Sequence, residues 1–166
     1  MMNSTDELRP SEAFLESFRR HGAGIAVITL LKKDGSPTGF IATSLASLSA
    51  NPPLATFNIA QTASSWSSVS IDTPVLIHLL STDNVALAKK MAGESDQRFE
   101  GDHWEEGPGG LPLLTGVHAW MSATIVAITE VEFSAMVAAR ITGGSLGAES
   151  TPLVYSGRDY RSVTAL

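Results

Sequence analysis

The sequence predicts a mainly β protein in which an antiparallel barrel carries a few helices on its outside. Three observations predict it. Apolar runs rich in β-branched residues recur at Ile25–Leu31, Leu54–Ile59, Pro74–Leu80, Val117–Ile128 and Glu130–Thr142. They mostly follow one another without the regular helical crossovers that a parallel sheet requires. Turn signals separate them, above all Asp34-Gly35 and Asn51-Pro52-Pro53. Roughly six or seven strands and three helices on this plan favour a closed antiparallel barrel.

Taken in order, Ser11 with Phe14, Leu15 and Phe18 reads as an N-capped amphipathic helix that ends near Gly22 and Gly24. Its apolar stripe is expected to lie on the body like a lid. Ile25–Leu31 and Gly39–Ser44 flank Asp34-Gly35 as a hairpin. Neither proline of Asn51-Pro52-Pro53 can donate to a ladder, so the chain breaks there and resumes at Leu54–Ile59. Thr62–Ser70 is Ser-rich and could start a short helix. Pro74–Leu80 is a strand, and Asn84–Ala92 has helical spacing with Gly93 as its stop. Glu94–Gly110 reads as a polar loop, followed by Pro112–Leu114, the two long strand candidates and a last short strand at Thr151–Tyr155.

The 166 residues suit one domain, 1–166, with 1–10 as a flexible arm. A net charge of −6 with scattered Lys and Arg argues against a nucleic-acid partner, since a phosphate backbone would be repelled. The absence of cysteine removes disulfides, thiolate metal sites and cysteine nucleophiles together. Met1–Glu12 holds no apolar run, and no stretch is long and apolar enough for a bilayer, so the expectation is a soluble cytoplasmic protein with no membrane contact. HExxH, an EF-hand loop, GxSxG and GxGxxG are all missing, which disfavours a metal hydrolase or a Rossmann dehydrogenase.

The densest polar stretch is Ala42–Ser49, where Thr43, Ser44, Ser47 and Ser49 supply hydroxyls among small alanines. Neutral donors of this kind suit the carbonyls and ring nitrogens of a flat polar-edged ring. Ser64 and Ser65 could offer hydroxyl and N–H donors to a phosphate, and Arg98 could grip one bidentately. On composition alone, turn and cap formation is the simpler account of the same serines. His78, inside an apolar strand, reads as a satisfied core or edge histidine, and His21 as a helix-end residue.

The ordered set of motifs goes further. The set opens with Phe18 and Gly22–Thr29, then Asp34-Gly35-x-Pro37-x-Gly39-Phe40-x-Ala42-Thr43-Ser44 and Ser47-Leu48-Ser49-x-x-Pro52-Pro53-Leu54. Ser64, Arg98-Phe99, Trp104, Gly110-x-Pro112-Leu113-Leu114-x-Gly116, Ala119-Trp120, Pro152–Tyr155, Arg158 and Tyr160 follow. With this set, spanning about Phe14 to Tyr160, the chain resembles the flavin reductase-like family. That family has the FMN-binding split barrel, an antiparallel Greek-key type of split β-barrel with a few flanking helices. It includes the small reductase components of two-component flavin-dependent monooxygenases.

The resemblance implies a homodimer, reversible uptake of FMN or FAD, and reduction of that flavin by NADH or NADPH for a partner monooxygenase. Carried over position by position, Gly39, Ala42, Thr43, Ser44 and Ser47 would line the ring and ribityl chain. Asn58, Ile59 and Ala60 would run past the ring, and Ser64 and Ser65 would sit at the phosphate with Arg98 and Phe99 nearby. One position departs from the family pattern: Ser134 stands where the family has a histidine on the nicotinamide side, and His103 is the candidate to replace it. A flavin carrier or sensor without turnover is therefore the second reading. A deazaflavin- or pyridoxal-handling protein of the same superfamily ranks last.

Overall fold

The computed structural model describes residues 7–166. Helix α1 (Pro10–Arg20) leads into the short strand β1 (Ala23–Gly24). Then come β2 (Ala26–Leu31), β3 (Pro37–Ala42), β4 (Ala46–Ala50), β5 (Pro53–Ala60) and β6 (Pro74–Leu79). Helix α2 (Val85–Met91) precedes β7 (Trp104–Glu106), β8 (Pro112–Leu114), β9 (Ala119–Val131), β10 (Ser134–Leu146), β11 (Val154–Ser156) and β12 (Asp159–Arg161). Seven strands form one antiparallel sheet in the order β3-β2-β6-β9-β10-β5-β4. The mainly β antiparallel reading therefore holds.

Apolar residues on both faces of the wall explain why β2 reads as a continuous apolar run rather than an alternating one. Ile28 and Leu30 point into the barrel with Phe40, Phe57, Ile77, Ile125 and Val137. Val27 points outward into a second cluster with Leu80, Ala88, Met91, Leu114 and Leu153, which seats α2 and the β7–β8 hairpin on the wall. β5 and β10 alternate instead, because their outer faces are open. β9 and β10 are each 13 residues long, and register shifts near Ala138 and Ile141 bend the pair around the barrel.

His78 is the principal buried polar anchor. Its Nδ1 donates to the Val27 carbonyl at 3.1 Å, and its Nε2 accepts from the Leu114 N–H at 3.1 Å, so one side chain joins β2, β6 and β8. Thr29 adds a second tie to the same hairpin through Oγ1 to the Pro112 carbonyl at 2.6 Å.

Three expectations are corrected. α1 does not close over the body: it has no buried residue, and Phe14, Leu15 and Phe18 remain 60%, 51% and 59% exposed. Ala46–Ala50, within the polar stretch whose serines read as turn and cap formers, is a strand because its backbone completes the edge of β5. Thr62–Ser70 holds only a single 3-10 turn, Trp66–Ser68, and its Ala63 and Trp66 pack against the barrel core. The arm expected at 1–10 falls mainly on residues outside those described. Among the described residues no helix is long and apolar enough to cross a membrane.

Candidate functional site

The barrel is not zipped. The sheet ends on β3 at one edge and β4 at the other, with no ladder between them. Residues in and just beyond β3 and β5 nevertheless meet across this seam. The Asn58 N–H donates to Ser44 Oγ at 2.8 Å, the Phe40 and Phe57 rings stand 5.9 Å apart, and the Thr38 and Ser65 hydroxyls share a hydrogen bond of 2.8 Å. An unpaired strand edge keeps backbone donors and acceptors that a ligand can use.

The candidate residues distribute along this seam. Thr43 is exposed just beyond the end of β3, and Ser44 is half-buried beside Asn58. Asn58 and Ala60 face outward from β5, and Ser134 pairs with Ala60 across the neighbouring strand. Ser64 is exposed in the loop that follows. Ser47 is exposed on β4, paired with Ala55. Ring-sized polar contacts are thus available from Thr43, Ser44 and Asn58, all neutral, which suits a ring whose edge alternates donors and acceptors.

Several expected contacts lie behind the seam. Ala42 and Ile59 point into the barrel core, so they can offer a ligand only backbone. Ser65 is fully buried with its hydroxyl engaged by Thr38, so that hydroxyl is not presented at the surface as the one on Ser64 is. A turn of three residues has no helix dipole to replace it.

At the Thr38 end, the 93–104 loop folds over β3. Arg98 donates through Nε to the Gly93 carbonyl at 3.0 Å and through a terminal nitrogen to the Gly39 carbonyl at 2.8 Å. A guanidinium carries five N–H groups, so part of this fork remains for an anion. Gly39 is buried beneath Phe99: a Cβ there would lie 2.8 Å from the Ile28 carbonyl oxygen and 3.2 Å from the Phe99 ring. Arg98, Phe99, Gly39 and Thr38 therefore gather at one end of the seam, and the Thr38–Ser65 bond brings the loop of Ser64 to that end.

His103, the candidate to replace the missing histidine, is engaged within its own loop. Its Nε2 donates to the Arg98 carbonyl at 2.7 Å, which folds it back onto its own loop, while Ser134 stands at the β9–β10 turn with its carbonyl accepting from Gln61. The feature that sequence reasoning missed is the backbone role of Arg98. Its partner Gly39 is 59 residues away in sequence, and no local pattern records such a pairing.

Residues 18–164 match the family described as flavin reductase like domain. A flavin reductase domain protein from Arthrobacter sp. FB24, known from its crystal structure, is 42% identical, with a TM-score of 0.89 over 94% of this chain and 97% of that one. An NADH:FMN oxidoreductase of Rhodococcus qingshengii is 38% identical over 127 residues, 76% of this chain and 66% of the relative, just under two thirds of its length. The reductase component of the flavin-dependent trigonelline monooxygenase of Acinetobacter baylyi is 28% identical over 140 residues, 84% of this chain and 45% of the relative. The fold, the seam and the matched span agree, and the chain belongs to the flavin reductase like domain family.

Proposed function

We propose that the protein is an NAD(P)H:flavin oxidoreductase that reduces FMN or FAD by hydride transfer and supplies reduced flavin to a partner monooxygenase. The observation that carries this reading is the open seam between β3 and β5, with neutral hydroxyl and amide groups at one end and Arg98 at the other. When bound, a flavin takes a hydride from the nicotinamide and passes the electrons on. The chain's own residues bind and orient. Thr43, Ser44 and Asn58 meet the ring edge, with the backbone of Gly39, Ala42, Ile59 and Ala60 alongside. Ser64 and the unused part of the Arg98 fork take the phosphate, while Phe99 covers Gly39. Ser47 flanks the ribityl chain from β4.

The outward faces beside this seam leave Val131, Phe133 and Met136 at 52%, 80% and 50% exposure. An apolar surface of this kind is suited to a second copy of the chain, and we read the protein as a homodimer on that basis.

Mixing protein with NADH or NADPH and added FMN or FAD in a stopped-flow instrument tests the activity. Bleaching of the flavin faster than in the protein-free control is expected; no acceleration with either nucleotide leaves the carrier reading, which Ser134 favours. Ser134→His is expected to raise the rate of flavin reduction by about tenfold, equivalent to about 1.4 kcal/mol of barrier. Single-turnover measurements at saturating nucleotide check it, and an unchanged rate removes this position from the chemistry.

A paired substitution separates the two serines. Ser64→Ala is expected to weaken flavin binding by about 1 kcal/mol with little change in melting temperature. Ser65→Ala should instead cost about 1–2 kcal/mol of stability, because it strands the buried Thr38 hydroxyl, and leave the flavin Kd unchanged. Fluorescence titration and thermal melts on both variants decide it.

A further inference from the structure

Arg98 sits among carboxylates, with Glu94, Asp96, Glu100 and Asp102 all in its own loop. Opposite charges so close in sequence favour an ion pair. The ion pairs among the described residues are Arg9–Glu12 and Arg19–Glu16, and Arg98 belongs to neither. Its Nε and one terminal nitrogen go instead to the carbonyls of Gly93 and Gly39. A neutral carbonyl fixes a guanidinium without cancelling its charge, so the rest of the fork keeps that charge for an anion.

The side chains that aim this fork come from the next two aromatic positions of the chain. His103 Nε2 donates to the Arg98 carbonyl at 2.7 Å, and the indole Nε1 of Trp104 donates to the Phe99 carbonyl at 2.8 Å. Two consecutive rings thus grip the backbone of two consecutive residues. The Trp104 ring also meets the Phe99 ring edge-on, with centroids 5.6 Å apart and planes at 89°. Gly101 makes the return of the chain possible. Its φ is +116°, and a Cβ there would lie 3.3 Å from His103 Nδ1, so glycine both turns the loop and leaves the imidazole its place.

The clamp is anchored to the barrel wall. Trp104 pairs with Leu114, and the Thr115 N–H donates to the His103 carbonyl at 3.0 Å. Leu114 is held by His78 of β6, and Pro112 by Thr29 of β2. A continuous path therefore runs from the wall through β8 and the two rings to Arg98 and Phe99. An arginine loses much rotamer freedom when it grips an anion, and one held beforehand loses less.

Resting on the flavin-binding reading above, we infer that His103 and Trp104 are positioning residues that present Arg98 to the flavin phosphate. They thereby set the preference of the seam for a phosphorylated flavin over riboflavin, which carries the same ring and ribityl chain without the phosphate. Both act through Arg98 rather than on the isoalloxazine.

Fluorescence titration of the full chain with FMN and with riboflavin tests the inference. Wild type is expected to bind FMN about tenfold or more tightly than riboflavin. His103→Leu and Trp104→Phe should each weaken FMN about fivefold to tenfold and leave riboflavin unchanged within about twofold. His103→Gln, whose amide nitrogen can donate to the same carbonyl, should recover most of the FMN affinity. In an Arg98→Ala background the phosphate contact is already gone, so His103→Leu should cost no further FMN affinity. Equal weakening of both flavins overturns the proposal, because losing the ring then only loosens the loop. A further loss on top of Arg98→Ala overturns it as well. If Trp104→Phe fails to fold, the His103 variants decide alone. A His103→Leu protein that keeps the wild-type preference for FMN rejects the clamp and leaves the flavin reading standing. A wild type that binds neither flavin rejects both. Loss of the FMN preference in variants of a protein that oxidises no NAD(P)H supports the clamp and rejects the reductase activity.

Discussion

Gly39→Val is expected to cost about 2–3 kcal/mol of stability and to weaken flavin binding by about tenfold or more, the magnitudes of an overpacked site whose neighbours must move. Even the first added atom meets the Ile28 carbonyl oxygen at 2.8 Å, closer than real Cβ atoms come, and backbone in a strand pair cannot retreat as a side-chain tip can. The Phe99 ring at 3.2 Å is the easier neighbour to displace. Moving it drags Arg98, whose bond to the Gly39 carbonyl holds the 93–104 loop against the seam. Stability and binding should therefore fall together. Gly24→Ala is the matched control, since a Cβ there meets nothing within 4 Å, and it should leave both unchanged. Thermal melts and FMN titration of the two variants suffice; a Gly39→Val protein with undiminished FMN affinity rules out the loop's part in the site.

His78 gives the second large effect, and it appears as a pH dependence. Burial pushes its imidazole down from 6.5 to about 4, with the hydrogen bond to Val27 opposing that shift only partly. The folded chain therefore resists a proton that the unfolded chain accepts below pH 6.5. Stability is fully present above that value and is lost as the pH falls toward 4, by about 3 kcal/mol at ~1.36 kcal/mol per unit. His78→Leu fills similar space but strands the Leu114 N–H, so it should cost about 2–3 kcal/mol at neutral pH. For a chain of this size that lowers the melting temperature by about 4–12 °C. The variant should also lose the part of the acid sensitivity between pH 6.5 and 4. Denaturant titrations across that range check both. Parallel acid profiles for wild type and variant would assign the sensitivity to other groups.

The sequence is most legible where burial imposes a period. β2, β5, β6 and β9 follow from apolar runs, and α2 from helical spacing between Asn84 and Gly93. Ala46–Ala50 is illegible for a physical reason. Its serines favour turns locally, and it is a strand only because β5 lies alongside to pair with it. The exposure of α1 is hidden likewise, since an amphipathic pattern states that a face must be covered without stating by what. In the site, Thr43, Ser44 and Asn58 could be singled out by residue type and motif order. Ser64 and Ser65 could not be told apart. Adjacent identical residues differ in role only once the chain turns one toward Thr38 and the other toward solvent.

The unzipped edge between β3 and β5 also has a kinetic meaning. A ladder resists opening through many backbone bonds at once, whereas this seam is latched by Ser44 to Asn58 at one point and Thr38 to Ser65 at another. Opening it breaks these two side-chain bonds and parts the Phe40 and Phe57 rings, while the ladders of the β2-β6-β9-β10 wall stay paired. Amide exchange gives a clock for that event. The Asn58 N–H, bonded only to a hydroxyl, should exchange far sooner than the ladder amides of β6, and a molecule seated in the seam should slow it.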